Sequence, residues 1–138
     1  MIVVDTSGVL SALDATDRHH AGAVRVLRER EPRLLSPLVL AELDYLLATR
    51  VGNRAQTAFL DDVAGGAYQL ESFGQHDVLE ATDILKQYAD LDLGLADASI
   101  VVIARRRGVS DLLTLDERHF RAVLGSGDKP FVLLPADG

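Results

Sequence analysis

The sequence predicts an α/β fold built on a mainly parallel sheet of about five strands. Two observations carry this. Short runs rich in β-branched residues or leucine (Ile2-Val3-Val4, Leu34-Leu35, Leu112–Leu115, Phe131–Leu134) read as buried strands, and segments with apolar residues at helical spacing separate them. Strands that alternate with helices imply a sheet covered on both faces. Right-handed crossovers then bring the C-terminal ends of the strands to one edge, where such folds place their ligand sites. The 138 residues fit one domain, 1–138, with no linker, repeat or low-complexity segment.

Each element has a local reason. Residues 2–5 form the first strand, and a short helix follows around Gly8 to Leu13. Asp14–Asp17 is a turn, with Asp17 a suitable N-cap for a helix running to about Arg30. That helix is half exposed, because Val24, Val26 and Leu27 cover one face only, and Pro32 stops it. After the second strand, Leu34-Leu35, Ser36 caps a helix with Pro37 at its first position; it runs to about Arg50 and ends before Gly52. Asn53 caps the next helix, which closes at Gly65-Gly66. Tyr68, Leu70 and Ser72 alternate with Gln69 and Glu71 as a third strand. Val78, Ala81, Ile84 and Leu85 pattern a helix from Gln75 to about Tyr88, and another runs from about Leu95 to Arg107, ended by Gly108. Leu112–Leu115 is the fourth strand, Glu117 to about Leu124 a short helix closed by Gly125, and Phe131–Leu134 the fifth strand.

Composition excludes several functions. The absence of Cys rules out a disulfide framework, a thiolate zinc site and a cysteine nucleophile. The apolar runs are too short to span a bilayer, and no basic segment followed by a long apolar stretch opens the chain, so a cytoplasmic protein with no membrane partner is expected. A net charge of −7 argues against nucleic-acid binding by the overall field. A metal site, however, concentrates negative charge that bound cations neutralise, and the whole-chain sum then misleads.

Four acids stand in apolar or turn settings. Asp5 ends Ile2-Val3-Val4; Glu42 lies in Leu38-Val39-Leu40-Ala41-Glu42-Leu43; Asp97 lies in Gly94-Leu95-Ala96-Asp97-Ala98; Asp116 ends Leu112-Leu113-Thr114-Leu115-Asp116. A carboxylate among apolar neighbours is costly unless paired or bound to a cation. Asp5 and Asp116 follow strands, Asp97 is in the first turn of its helix and Glu42 in the second turn of its own, so all four face one edge. Each has a plainer reading: Asp5, Asp97 and Asp116 as acids at helix starts, favoured by the helix dipole, and Glu42 as a solvated glutamate. The four together are better explained by a hard divalent cation, Mg²⁺ or Mn²⁺, which takes oxygen ligands, keeps several waters and suits phosphodiester hydrolysis. Thr6, Ser7 and Thr114 flank these acids and are placed to hydrogen-bond a phosphate or a ligating carboxylate, Thr6 foremost.

The segments Val3-Val4-Asp5-Thr6-Ser7, Ser36-Pro37-Leu38-Val39-Leu40-Ala41-Glu42-Leu43, Leu93-Gly94-Leu95-Ala96-Asp97-Ala98 and Leu113-Thr114-Leu115-Asp116-Glu117-Arg118-His119-Phe120 resemble the PIN-domain family, and within it the VapC toxins of VapBC toxin–antitoxin pairs. The resemblance implies a three-layer α/β/α fold and a Mg²⁺- or Mn²⁺-dependent endoribonuclease acting on structured RNA such as tRNA or rRNA loops. It implies a homodimer inhibited by a cognate VapB-type antitoxin. It carries the family's acidic positions to Asp5, Glu42, Asp97 and Asp116, as metal ligands and catalytic residues, and its hydroxyl to Thr6. Asp92 is a weaker outer candidate.

Local arginines, rather than net charge, are expected to hold RNA: Arg118 and Arg121 near Asp116, and Arg18 after the first helix. Arg105, Arg106 and Arg107 lie at the far end of the helix that carries Asp97. The helix Asn53–Ala64, with Ala55, Ala58, Phe59 and Val63, is the expected dimer surface. His19, His20, His76 and His119 are not expected to bind metal. Two other classes compete: a Mg²⁺-dependent phosphotransfer or phosphatase domain, which needs a late-strand Lys or an Asp-x-Asp that this chain lacks, and a non-enzymatic acidic pocket that grips an Arg-bearing partner.

Overall fold

A computed structural model describes residues 1–138. Five strands, β1 (Ile2–Val4), β2 (Arg33–Leu35), β3 (Gln69–Leu70), β4 (Asp111–Leu113) and β5 (Val132–Leu134), form one sheet in the order β3-β2-β1-β4-β5. Every pairing is parallel. Seven α-helices connect and cover it in a three-layer α/β/α arrangement: α1 (Thr6–Leu13), α2 (His20–Glu29), α3 (Pro37–Leu46), α4 (Asn53–Ala64), α5 (Gln75–Gln87), α6 (Leu95–Arg107) and α7 (Glu117–Phe120). No helix is long and apolar enough to cross a membrane.

The strand order locates the site. The chain builds outward from β1 to β2 and β3, then crosses back to lay β4 against the other side of β1. The order therefore reverses between β1 and β4, and a crevice opens beyond their C-terminal ends. Register fixes what lines it: Val4 pairs with Leu113, and the Asp5 N–H donates to the Leu113 carbonyl at 2.9 Å. Asp5 and Thr114 thus leave adjacent strand ends side by side.

The core explains why these elements stay put. Ile2, Val3 and Val4 are fully buried, as an apolar run on a central strand covered on both faces requires. In α6, Ala98 through Ala104 are all buried, with the one hydroxyl, Ser99, hydrogen-bonded to Ser36, so this stretch of the helix threads the interior. Gly8 is needed for a close approach: a Cβ there would stand 2.7 Å from the Leu113 carbonyl oxygen, and its absence lets α1 lie directly on β4.

Several element boundaries differ from expectation. α1 begins at Thr6, directly after Asp5, rather than at Gly8. Asp17 does not cap α2; its carboxylate accepts from the His19 N–H at 2.7 Å in a turn before the helix, which starts at His20. Asn53 is the first residue of α4 and caps nothing with its side chain; Gly52 precedes it. α3 ends at Leu46 and continues to Val51 as a π-helical turn. The third strand is an edge strand of two residues, with Leu70 exposed and Glu71 buried, the reverse of the expected alternation. Glu71 is buried because Arg106 and Arg107 reach it, 3.8 and 3.3 Å away. α7 closes at Phe120, and the chain turns through a bridge between Leu124 and Pro130 instead of extending the helix. On α4, Phe59 is buried against Tyr68 and Val63 packs on the core, so the two largest residues of the stripe expected to dimerise serve their own domain.

Candidate active site

Asp5, Thr6, Ser7, Leu10, Glu42, Leu46, Arg50, Asp97 and Asp116 line one cavity of about 220 Å³ at the β1/β4 crevice. All four acids singled out in the sequence are thereby brought together. Their settings differ.

Asp5 is 5 % exposed. Its Oδ2 accepts from Thr114 Oγ1 at 2.6 Å and from Ser7 Oγ at 2.9 Å. Both hydroxyls are themselves fixed: Ser7 Oγ accepts from the Leu115 N–H and Thr114 Oγ1 from the Asp116 N–H, each at 2.9 Å. Burial raises the Asp5 carboxyl to about 6, against the opposing pull of these two hydrogen bonds, with the charge of Asp97 raising it further. Thr114 is therefore a brace for Asp5 and for the loop carrying Asp116, and does not itself line the cavity.

Asp97 and Asp116 each cap a helix and still face the cavity, since a carboxylate has two oxygens to offer. Asp97 Oδ2 accepts from the Gly94 N–H at 3.3 Å at the start of α6, and Asp116 Oδ1 from the His119 N–H at 3.1 Å at the start of α7. Burial pushes Asp97 up, the Gly94 hydrogen bond and His119 pull it down, and Asp116 and Glu42 add repulsion. Glu42, by contrast, is exposed on α3 and takes no hydrogen bond.

Two residues at the site escaped sequence reasoning. His119 lies with Nδ1 2.9 Å from Asp116 Oδ2 and 3.4 Å from Asp97 Oδ2, without the alignment a hydrogen bond needs. Its spacing of three from Asp116 at a helix start was the available signal. Arg50 lines the cavity from the π-helical turn, whose widening no local pattern in the sequence announces.

The other candidates lie elsewhere. Arg121 is engaged by Glu117 at 2.6 Å and Asp137 at 2.7 Å, which raises its already high pKa. Arg118 is exposed and outside the cavity. Arg18 lines a neighbouring cleft with His19, Thr114 and Leu115. Asp92 is exposed and outside the cavity. Arg105, Arg106 and Arg107 are bound to the Leu124 carbonyl, to Asp77 and to Glu71.

The donor set fits a hard cation. Oxygen ligands of high charge density face one space, and the Thr6 hydroxyl is buried beside Asp5 with no hydrogen-bond partner. No three of these side chains stand close enough together to ligate one metal ion directly. That spread suits an ion that keeps several of its waters rather than a tight protein cage.

Comparison with known proteins identifies the family and the fold. The PIN domain family model matches residues 2–124. Ribonuclease VapC26 of Mycobacterium tuberculosis (strain ATCC 25618 / H37Rv) is 41% identical over 135 residues, covering 97% of this chain and 100% of that one. The crystal structure of Mycobacterium tuberculosis VapC20, a sarcin-ricin loop cleaving toxin, superposes with a TM-score of 0.78 at 26% identity over 84% of this chain and 90% of the other. VapBC2 from Rickettsia felis, bound to a DNA fragment from its promoter, shares the fold with a TM-score of 0.67 at 18% identity, over 96% and 98% of the two chains.

Proposed function

This chain belongs to the PIN-domain family, and from that premise we propose that it is a divalent-cation-dependent endoribonuclease toxin of the VapC type. The observation that supports it best is the cavity at the strand-order reversal, where four carboxylates meet a buried threonine hydroxyl that lacks a partner. Mg²⁺ or Mn²⁺ held by Asp5, Glu42, Asp97 and Asp116 would supply a water of lowered pKa and positive charge for the phosphorane-like transition state.

The chain's own residues do the rest. Ser7 and Thr114 hold Asp5 in place, and the His119 N–H holds Asp116. The Thr6 hydroxyl is placed to donate to a phosphate oxygen or to a bound water. In the hydrolysis, a water oxygen bonds to phosphorus, one ester P–O bond breaks, and the departing oxygen takes up a proton. Arg118, exposed and without an ion pair, contacts the RNA backbone beside Asp116. Arg121 is left out of this role because Glu117 and Asp137 already occupy it.

The same reading makes the protein a cytoplasmic partner of a VapB-type antitoxin and a homodimer. Tyr45, Val51 and Leu60, exposed on α3, the π-helical turn and α4, suit such an interface better than Phe59. Monomer alone in light scattering at micromolar concentration would refute the dimer.

Incubating the purified protein with total bacterial RNA and mapping the new ends tests the activity. Cleavage is expected with Mg²⁺ or Mn²⁺, none with a chelator, and none from a folded Asp97→Asn variant. Cleavage by that variant at the wild-type rate would remove Asp97 from the site, and cleavage in chelator would remove the cation.

A further inference from the structure

Arg50 is the one basic residue among those lining the carboxylate cavity. An irregular piece of backbone puts it there. Between Leu47 and Val51 the helix widens into a π-type turn, and such insertions occur disproportionately at functional sites. The turn is held at both sides. The Gly52 N–H donates to the Leu47 carbonyl, five residues back, at 2.7 Å, with a φ of 138° that a side chain would strain. Across it, Gln56 Nε2 donates to Asp44 Oδ1 at 2.7 Å and ties α4 to α3.

The widening matters for aim. In an uninterrupted α-helix, each step of four residues advances about 40° around the axis, so Arg50 would drift about 80° from Glu42 over two steps. A wider turn reduces the drift, and Glu42, Leu46 and Arg50 all reach the same cavity.

The guanidinium is also unengaged. Arg30, Arg33, Arg106, Arg107 and Arg121 all form ion pairs within the domain; Arg50 forms neither an ion pair nor a side-chain hydrogen bond, and differs from the other unpaired arginines, such as Arg28 and Arg118, in lining the cavity. An arginine placed to neutralise the acids would grip one of them. One that lines their cavity and grips none is placed for an anion that arrives from outside, and the planar fork of five donors matches a phosphate.

We propose that Arg50 binds a backbone phosphate of the RNA within the carboxylate cavity, facing the acids across the bound strand, and that the π-helical turn serves to hold it there. This rests on the ribonuclease reading above. The partner is an RNA phosphodiester rather than a protein carboxylate, because the same cavity holds the groups that hydrolyse one.

Steady-state cleavage of an RNA hairpin carrying a mapped cut site, measured over a series of salt concentrations, tests this with Arg50→Ala, Arg50→Lys and, as a charge control outside the cavity, Arg28→Ala. Arg50→Ala should lower kcat/KM by roughly tenfold or more and reduce the salt slope by about one. Arg50→Lys should restore the slope but only part of the rate, and Arg28→Ala should match wild type. Because Arg50 forms no internal ion pair or side-chain hydrogen bond, the melting temperature should not move, and Mn²⁺ affinity by calorimetry should be unchanged or tighter. Wild-type kcat/KM and slope in Arg50→Ala would overturn the proposal, as would an equal loss in Arg28→Ala. Tighter Mn²⁺ binding with unaltered cleavage would reduce Arg50 to an electrostatic counterweight and also overturn it. A wild-type protein that cleaves no RNA would instead sink the ribonuclease reading, and this proposal with it.

Discussion

The two walls of the cavity are built on different terms. On the sheet side, Asp5 is buried, receives two hydroxyl donors and is locked through Ser7 and Thr114 to the backbone that follows β4. On the α3 side, Glu42 is exposed and Arg50 unpaired, and the backbone between them ends in a π-helical turn. The sheet wall holds the Asp5 carboxylate in place before anything binds, at the cost of desolvating it, and leaves the Thr6 hydroxyl without a partner. The α3 wall keeps its charges in water, where they cost the fold little, and their geometry is completed by what binds. For the function proposed above, a site taking a cation and a polyanion in turn is served by one wall that is fixed and one that adapts.

The contrast is broken most sharply by neutralising one acid on each wall. Asp5→Asn and Glu42→Gln should both reduce RNA cleavage to background, yet only Asp5→Asn should change stability. In chelator its melting temperature should rise, because a buried charge is removed. Glu42→Gln should stay within about 0.5 kcal/mol of wild type by denaturant titration, as exposed substitutions do. A loss of stability in Glu42→Gln comparable to a core mutation would contradict the placement of the α3 wall.

The next effect is in pH. Asp5 is raised from 3.8 to about 6 in the folded protein, so the folded state binds its proton more tightly than the unfolded chain. The stability this contributes is fully present below 3.8 and is lost as pH rises through about 6. In metal-free buffer the difference amounts to about 3 kcal/mol at about 1.4 kcal/mol per pKa unit. Subtracting the stability–pH curve of Asp5→Asn from that of wild type isolates it. A difference curve that rises with pH over this window would show that Asp5 is not the desolvated acid.

Thr114→Val probes the brace. It removes the 2.6 Å donor to Asp5 and leaves the Asp116 N–H without its acceptor, so a loss of about 1–3 kcal/mol is expected, together with slower cleavage. Unaltered cleavage with the stability loss intact would make Thr114 purely structural. The smallest effect belongs to Arg121→Ala: with its guanidinium held by Glu117 and Asp137, cleavage should be unchanged and the melting temperature only slightly lower. A clear fall in RNA cleavage there would return Arg121 to the substrate side.

Much of the fold was legible because its signals are local. Runs of β-branched residues in β1 and of leucine in β2 and β4 placed the central strands, Ser36-Pro37 placed the start of α3, where Ser36 Oγ accepts from the Leu38 N–H at 3.1 Å, and Gly108 placed the end of α6. The four acids were legible because each carboxylate sits just past a strand or near a helix start, and parallel topology sends those positions to one edge. Boundaries set by competition were not. Asp17 is an equally good acceptor for a turn or a helix cap, and the turn won because Ser11 Oγ also donates to it, at 3.1 Å. Leu70 and Glu71 exchanged faces because two arginines from the end of α6 came within reach of Glu71, which no local pattern encodes.

The sequence by itself determined the strands, the parallel order of elements and the acids, since backbone propensity and apolar periodicity act over neighbouring residues. Only the tertiary structure decided which arginines are free. Whether a guanidinium finds a carboxylate depends on partners far along the chain, as for Arg121 with Asp137, or for Arg106 with Asp77. Arg50 is left without one by the path of the backbone through a widened turn, and pairing of that kind is settled only once the chain has closed on itself.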